Sequence, residues 1–159
     1  MKRLWKRIDD LLDLCRRMGL DFFDIQFEVV PFDVMTEVAA YGLPIRGQHW
    51  SYGKVFNRQR LHGRMGLSKI FEIVINSDPA YAFLLDTNRE IENLMIAAHV
   101  AGHVDFFKHN ALFALTHRRM VDEAAQHAAR LDQYKERYGL DPVERLMDIG
   151  FALERHIDT

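Results

Sequence analysis

The block at residues 70–75 constrains the fold most. Ile70, Phe71, Ile73, Val74 and Ile75 are β-branched or aromatic, side chains that suit a pleated, half-buried surface, so the block reads as a strand. Asn76-Ser77-Asp78-Pro79 is turn chemistry. Residues 81–85 are expected to return as a second strand paired with the first. From residue 89 to about residue 108 the sequence predicts a long helix, with Ile91, Leu94, Met95, Ala98, Val100 and Ala101 as packing residues.

The flanking segments add mainly helix. Leu4, Trp5, Ile8, Leu11, Leu12, Cys15 and Met18 form an apolar stripe at helical spacing, and Gly19 is placed to close that helix. Ile25, Phe27 and Val29 alternate with Gln26 and Glu28 as a half-buried strand that Pro31 ends. Residues 32–41 read as a short helix closed by Gly42, with Gly42-Leu43-Pro44 as a turn. Residues 50–65 are expected to be helical, although Gly53 and Gly63 weaken the pattern. Residues 120–138 form a further helix ended by Gly139, with an alanine-rich face at Ala124, Ala125 and Ala128 that reads first as packing surface. The last helix starts at Asp141-Pro142-Val143-Glu144, with an N-cap aspartate, a proline in the first turn and a glutamate three residues on. The layout is α+β: mostly helical, with a small sheet packed beside the long histidine-bearing helix.

At 159 residues the chain is expected to be a single domain spanning 1–159. A net charge of −2 argues against a dedicated nucleic-acid or anionic-membrane binder. Cys15 is the single cysteine, which rules out an internal disulfide and suits a reducing compartment. The basic start lacks a following apolar stretch of signal-peptide length, and no apolar run reaches bilayer length, so the expected location is the cytoplasm without membrane insertion.

The chemistry concentrates in Ala98-His99-Val100-Ala101-Gly102-His103. Two imidazoles four residues apart share one helix face, about one turn or ~6 Å of rise apart. Such a pair can grip a divalent metal, zinc being the expected ion. Gly102 would let a backbone or ligand approach closely. Glu92, Met95, Ile96 and Phe106 fall on the same, otherwise apolar, face. There an imidazole needs a metal or a hydrogen-bond partner. The alternative is two core histidines satisfied by carboxylates or backbone carbonyls.

Helical metalloprotease motifs carry a glutamate directly after the first histidine, and here Val100 stands in that place. A general base must therefore come from elsewhere. Glu92, ~10 Å from His99 by helical rise, is better placed as a base across a bound substrate or as a partner behind the ligands. Glu28, His49 and Glu72 are candidate third ligands. Glu72 is either a charge on the solvent face of an edge strand or a carboxylate facing the histidines. The segment with His49, Trp50, Tyr52 and Lys54 reads as a binding loop, or as an aromatic anchor. Asp105 and His109 form a second pair, expected at the surface or as a link to the next segment. Lys54, Arg58, Arg60, Arg64 and Lys69 form a basic stretch that reads as an anion site or as a solvated helix face.

Taken together these residues resemble the SpoVR family, the stage V sporulation protein R type. The likeness rests on Gly42-Leu43-Pro44, on His49-Trp50-Ser51-Tyr52-Gly53-Lys54, on Glu72-Ile73-Val74-Ile75-Asn76-Ser77 with Pro79, and on the histidine segment through Lys108. The resemblance implies a link to spore cortex formation, or to stationary-phase and stress physiology beside a PrkA-type kinase and a von Willebrand-like partner. By analogy, its strand and two-histidine helix look like a divergent zincin core. Family members are longer and carry an Asn-Glu-Gly-Trp-Ala segment that this sequence lacks. The resemblance therefore implies a metal-dependent amide hydrolase completed by a missing C-terminal region or a protein partner. The alternative is a non-catalytic interaction module.

Overall fold

The computed structural model describes residues 2–41, 49–65, 72–154 and 156–157. The turn expected at Gly42-Leu43-Pro44 and the start of the strand at Ile70 and Phe71 lie outside them, as does Lys69. The elements are α1 (Lys2–Arg17), β1 (Ile25–Val30), α2 (Phe32–Tyr41), α3 (Trp50–Arg64), β2 (Glu72–Ile75), β3 (Ala80–Leu85), α4 (Glu90–His109), a short 3-10 turn (Ala111–Phe113), α5 (Met120–Tyr138) and α6 (Leu140–Glu154). The architecture is α+β, with a small mixed sheet among many helices.

The sheet runs β1-β3-β2. β2 pairs antiparallel with β3, as the turn between them predicts, whereas β1 pairs parallel with β3 over Ile25↔Ala80 to Val30↔Leu85. β3 is therefore central. Its alternate side chains go to opposite faces. Ala80, Ala82 and Leu84 meet Ile8, Leu12 and Cys15 of α1 and Ala97, Val100, Ala101 and Val104 of α4. Leu85 joins Val30 and Met35 on the other side, with Phe32, Ile73 and Phe83 around them. Thr36 is buried there, and its hydroxyl donates to the carbonyl of Phe32 at 2.8 Å.

Helices α1 and α4 lie side by side and run parallel, with ion pairs at both ends. Glu90 at the start of α4 accepts from Arg7 and faces Arg3 at 3.7 Å. Beyond the other end of α1, Asp21 pairs with Lys108 and with His109, the latter at 3.2 Å. Its amide also donates to Asp105 at 2.7 Å. Asp105 and His109 thus tie α4 to the preceding α1–β1 loop rather than to the next segment.

Several expectations are corrected. The first helix ends at Arg17, so Met18 is exposed instead of extending the stripe. Asp141 lies inside the first turn of α6, which begins at Leu140 directly after Gly139, whose φ of 87° makes the sharp joint to α5. On the alanine-rich face of α5, Ala124 and Ala128 are half-buried and only Ala125 is exposed, so the packing reading holds in part. Gly63, read as a weakness in α3, has a packing reason. A Cβ there would come within 2.1 Å of the Phe32 ring, so glycine lets α3 approach α2.

Leu84→Ala is expected to cost about 2–5 kcal/mol by urea unfolding, because it empties a fully buried site on the central strand. The end ion pairs set an acid dependence. Asp21 is held below the usual carboxylate range, chiefly by the Lys108 hydrogen bond, and Glu90 chiefly by that of Arg7. Depressed folded values mean that this stabilisation is present above the ordinary carboxylate range and is lost as pH falls through the lowered ones. In Lys108→Ala the Asp21 carboxyl should titrate at higher pH by NMR.

Candidate functional site

His99 and His103 stand one turn apart on α4 with their rings together: the centroids are 4.4 Å apart and the Nε2 atoms 2.9 Å apart. The spacing alone brings this about, because residues four apart on a helix project to the same side. The ring of Phe107, the next residue along that face, stacks on His103 at 6.0 Å. The pair sits on the flank of α4 and not in the core: the His99 side chain is 61% exposed. The reading of two histidines sealed in the interior is therefore set aside.

Register decides which carboxylate joins them. Glu72 pairs with Leu84, and Glu28 with Phe83. Leu84 faces α4 and Phe83 faces the other side. Directly opposed residues share a face, so Glu72 lies on the helix side of the sheet and Glu28 on the far side. Glu72 Oε1 is 3.9 Å from His99 Nε2, with the carboxylate side chain only 26% exposed. Of the two alternatives for Glu72, the carboxylate facing the histidines is the one observed.

The glutamate at the start of α4 is engaged differently. Glu92 Oε2 accepts the amide of Arg89 at 2.7 Å, and its Oε1 accepts from the Arg89 guanidinium at 3.0 Å. The glutamate thus reaches back to the helix start and satisfies the Arg89 amide, a donor that would otherwise be left open. Both Glu92 oxygens are engaged by Arg89 at the helix start. The neighbours on the histidine face also differ in part: Ile96 is buried, while Met95 and Phe106 are exposed.

The expected binding loop is the start of a helix. His49 is the N-cap of α3, and its Nδ1 accepts the Ser51 amide at 3.3 Å, with the Ser51 hydroxyl at 2.7 Å. That leaves the ring proton on Nε2, which faces Asp148 Oδ1 at 3.3 Å but off the line of a hydrogen bond. Trp50 Nε1 donates to the same oxygen at 3.1 Å. Rings of Trp50, Tyr52 and Phe151 surround the imidazole. His49 is thus buried against α6 and is not a ligand beside the α4 pair. An open cleft of ≈ 480 Å³ adjoins it, lined by Trp50, Ser51, Asp148, Phe151 and His156 among others. Lys54 is exposed, and Arg60 of the basic stretch meets Asp33 at 3.4 Å across α2 and α3.

Two imidazoles and a carboxylate are the right donors for zinc, and tetrahedral binding at 2.0–2.1 Å would need ring nitrogens about 3.3 Å apart, a small opening of the observed pair. The set falls short in number: no group of three or more ligating side chains among the described residues could hold an ion.

A family model described as SpoVR like protein matches residues 1–159. The chain belongs to the SpoVR family. A SpoVR-family relative, the uncharacterized protein YcgB of Escherichia coli (strain K12), is 39% identical over 141 residues, covering 84% of this chain and 27% of its own length. This SpoVR chain thus spans about a quarter of the relative it matches. No solved structure matches it. No helix among the described residues is long and apolar enough to cross a membrane.

Glu92→Ala is expected to lower stability by about 1 kcal/mol through loss of the cap, measured by urea unfolding. The side-chain NMR signals of His99 and His103 should stay in place, since Glu92 serves the helix start and not the ring pair.

Proposed function

We propose that His99, His103 and Glu72 are the half-site of a divalent-metal centre, zinc first, in an amide hydrolase that other polypeptide completes. The convergence of the two Nε2 atoms, with a carboxylate brought beside them from β2, supports this reading best. His99 and His103 would hold the ion, and the ring stack with Phe107 helps fix His103. Glu72, close to His99, would either close the ligand set by a short movement or accept the proton of an attacking water. A bound zinc would supply a Lewis acid that polarises a carbonyl and lowers the pKa of its water. Val100, in the place where helical metalloproteases keep their base, is fully buried and leaves that task to Glu72 or to a further segment. The setting that the family resemblance implies, cell-wall material in sporulation or stress physiology beside a PrkA-type kinase, goes with this proposal.

Zinc titrated into the protein should shift the ring NMR signals of His99 and His103 saturably. The double variant His99→Ala, His103→Ala should bind no zinc above background while keeping its circular dichroism. Glu72→Gln should weaken zinc by roughly 10-fold or more, the scale on which neighbouring carboxylates tune metal sites. Well-folded wild-type protein whose His99 and His103 ring signals do not respond to zinc would remove the reading.

A further inference from the structure

His49, Ser51 and Asp148 form a chain of polar contacts that the α4 site does not use. Ser51 Oγ lies 2.7 Å from His49 Nδ1, and His49 Nε2 lies 3.3 Å from Asp148 Oδ1. The imidazole is wholly buried and the carboxylate half exposed. All three residues line one open cleft, whose apolar part is Trp50, Phe151 and Ala152.

The capping role of His49 stands, and it uses only part of this arrangement. Helix N-caps are ordinarily Ser, Thr, Asp or Asn, whose oxygen accepts an amide of the first turn. Here an imidazole, which is a base, takes that place, and the serine whose amide it accepts also offers it a hydroxyl. With the Nδ1 lone pair so used, the ring proton sits on Nε2 and faces the carboxylate. Nucleophile, base and orienting acid thus stand in the order that acyl transfer requires, in the tautomer each step needs. Nε2 is buried without a hydrogen-bond partner, while Trp50 Nε1 holds the facing carboxylate oxygen at 3.1 Å. Contacts of this kind are commonly loose before substrate binds and tighten around it.

We infer that Ser51 is the nucleophile of an esterase site at the start of α3, acting on carboxylic esters with an apolar acyl group. His49 is its base and Asp148 the positioning residue. Ser51 Oγ bonds to the carbonyl carbon while its proton passes to Nδ1, and Asp148 faces the imidazolium so formed. Once protonated, Nδ1 no longer accepts the Ser51 amide, which is then free to donate to the oxyanion at the positive end of α3. Collapse breaks the bond to the alcohol oxygen, which takes the proton from Nδ1. Water then adds to the acyl-serine with the same base, releases the carboxylic acid and returns the proton to Ser51 Oγ. Trp50 and Phe151 are exposed and offer aromatic surface to the acyl group. No step involves His99, His103 or a metal.

A fluorophosphonate tests this, because it bonds stably only to an activated serine. The chain has three serines, Ser51, Ser68 and Ser77, so two of them serve as references. In the folded 159-residue protein, mass spectrometry should find the phosphonyl group on Ser51 and on neither reference. With p-nitrophenyl butyrate, Asp148→Asn should lower kcat by about 10-fold or more and leave KM unchanged, the pattern of an interaction made in the transition state. An asparagine oxygen still accepts from Trp50, so a merely structural role would leave kcat where it was. A chelator should alter neither labelling nor turnover.

Folded protein that stays unlabelled at Ser51, labels all three serines equally or turns over no ester would overturn the assignment. An unchanged kcat in Asp148→Asn would overturn it as well. Ester hydrolysis that survives Ser51→Ala and stops with chelator would belong to the α4 histidines instead. Zinc binding is read separately, so either proposal can fail alone.

Discussion

The seating of α4 on the central strand β3 underlies the rest of the structure. Ala97 and Ala101 on the helix share one core with Ala80 and Ala82 on the sheet, and all four are almost wholly buried. Val100, Val104 and Leu84 share that core. Close packing of this kind resists changes of volume, so the helix can neither roll nor slide without opening voids. Helix α1 completes the layer with Ile8, Leu12 and Cys15. Near the start of α4 the buried Asn88 donates to the buried Asn93 at 3.2 Å.

That seating fixes the site. With its core face set, α4 has no freedom in where His99 and His103 stand, and they project from the flank beside the edge strand β2. The register of β2 on β3 then brings Glu72 to the same side. The imidazoles and the carboxylate therefore come from two elements whose relative position is set by packing. The pair is partly open to solvent, which suits a site that takes its remaining wall and donors from elsewhere.

A second polar cluster, at the start of α3, shows how similar residue types serve structure. His49 is buried, caps the helix and faces Asp148 of α6, while Trp50 shares that carboxylate. An aromatic and polar segment after a turn looks like a binding loop in sequence. Its backbone donors need partners once the helix forms, and the His49 ring supplies one.

Much of the fold is legible in the sequence because it is local. The helices and strands follow from apolar periodicity and turn residues, and the placing of His99 and His103 on one side follows from the helical repeat alone. Glu72 stayed ambiguous because a strand's two faces are equivalent until a neighbour covers one of them. The engagement of Glu92 with Arg89 at the helix start was not anticipated, because a helical wheel shows the face of a residue and not its partner. The parallel pairing of β1 with β3, the choice of β3 as centre and the burial of His49 against α6 rest on contacts between residues far apart in sequence. Periodicity tells which residues share a face, but not which face is covered. Only the packing of layers decides that.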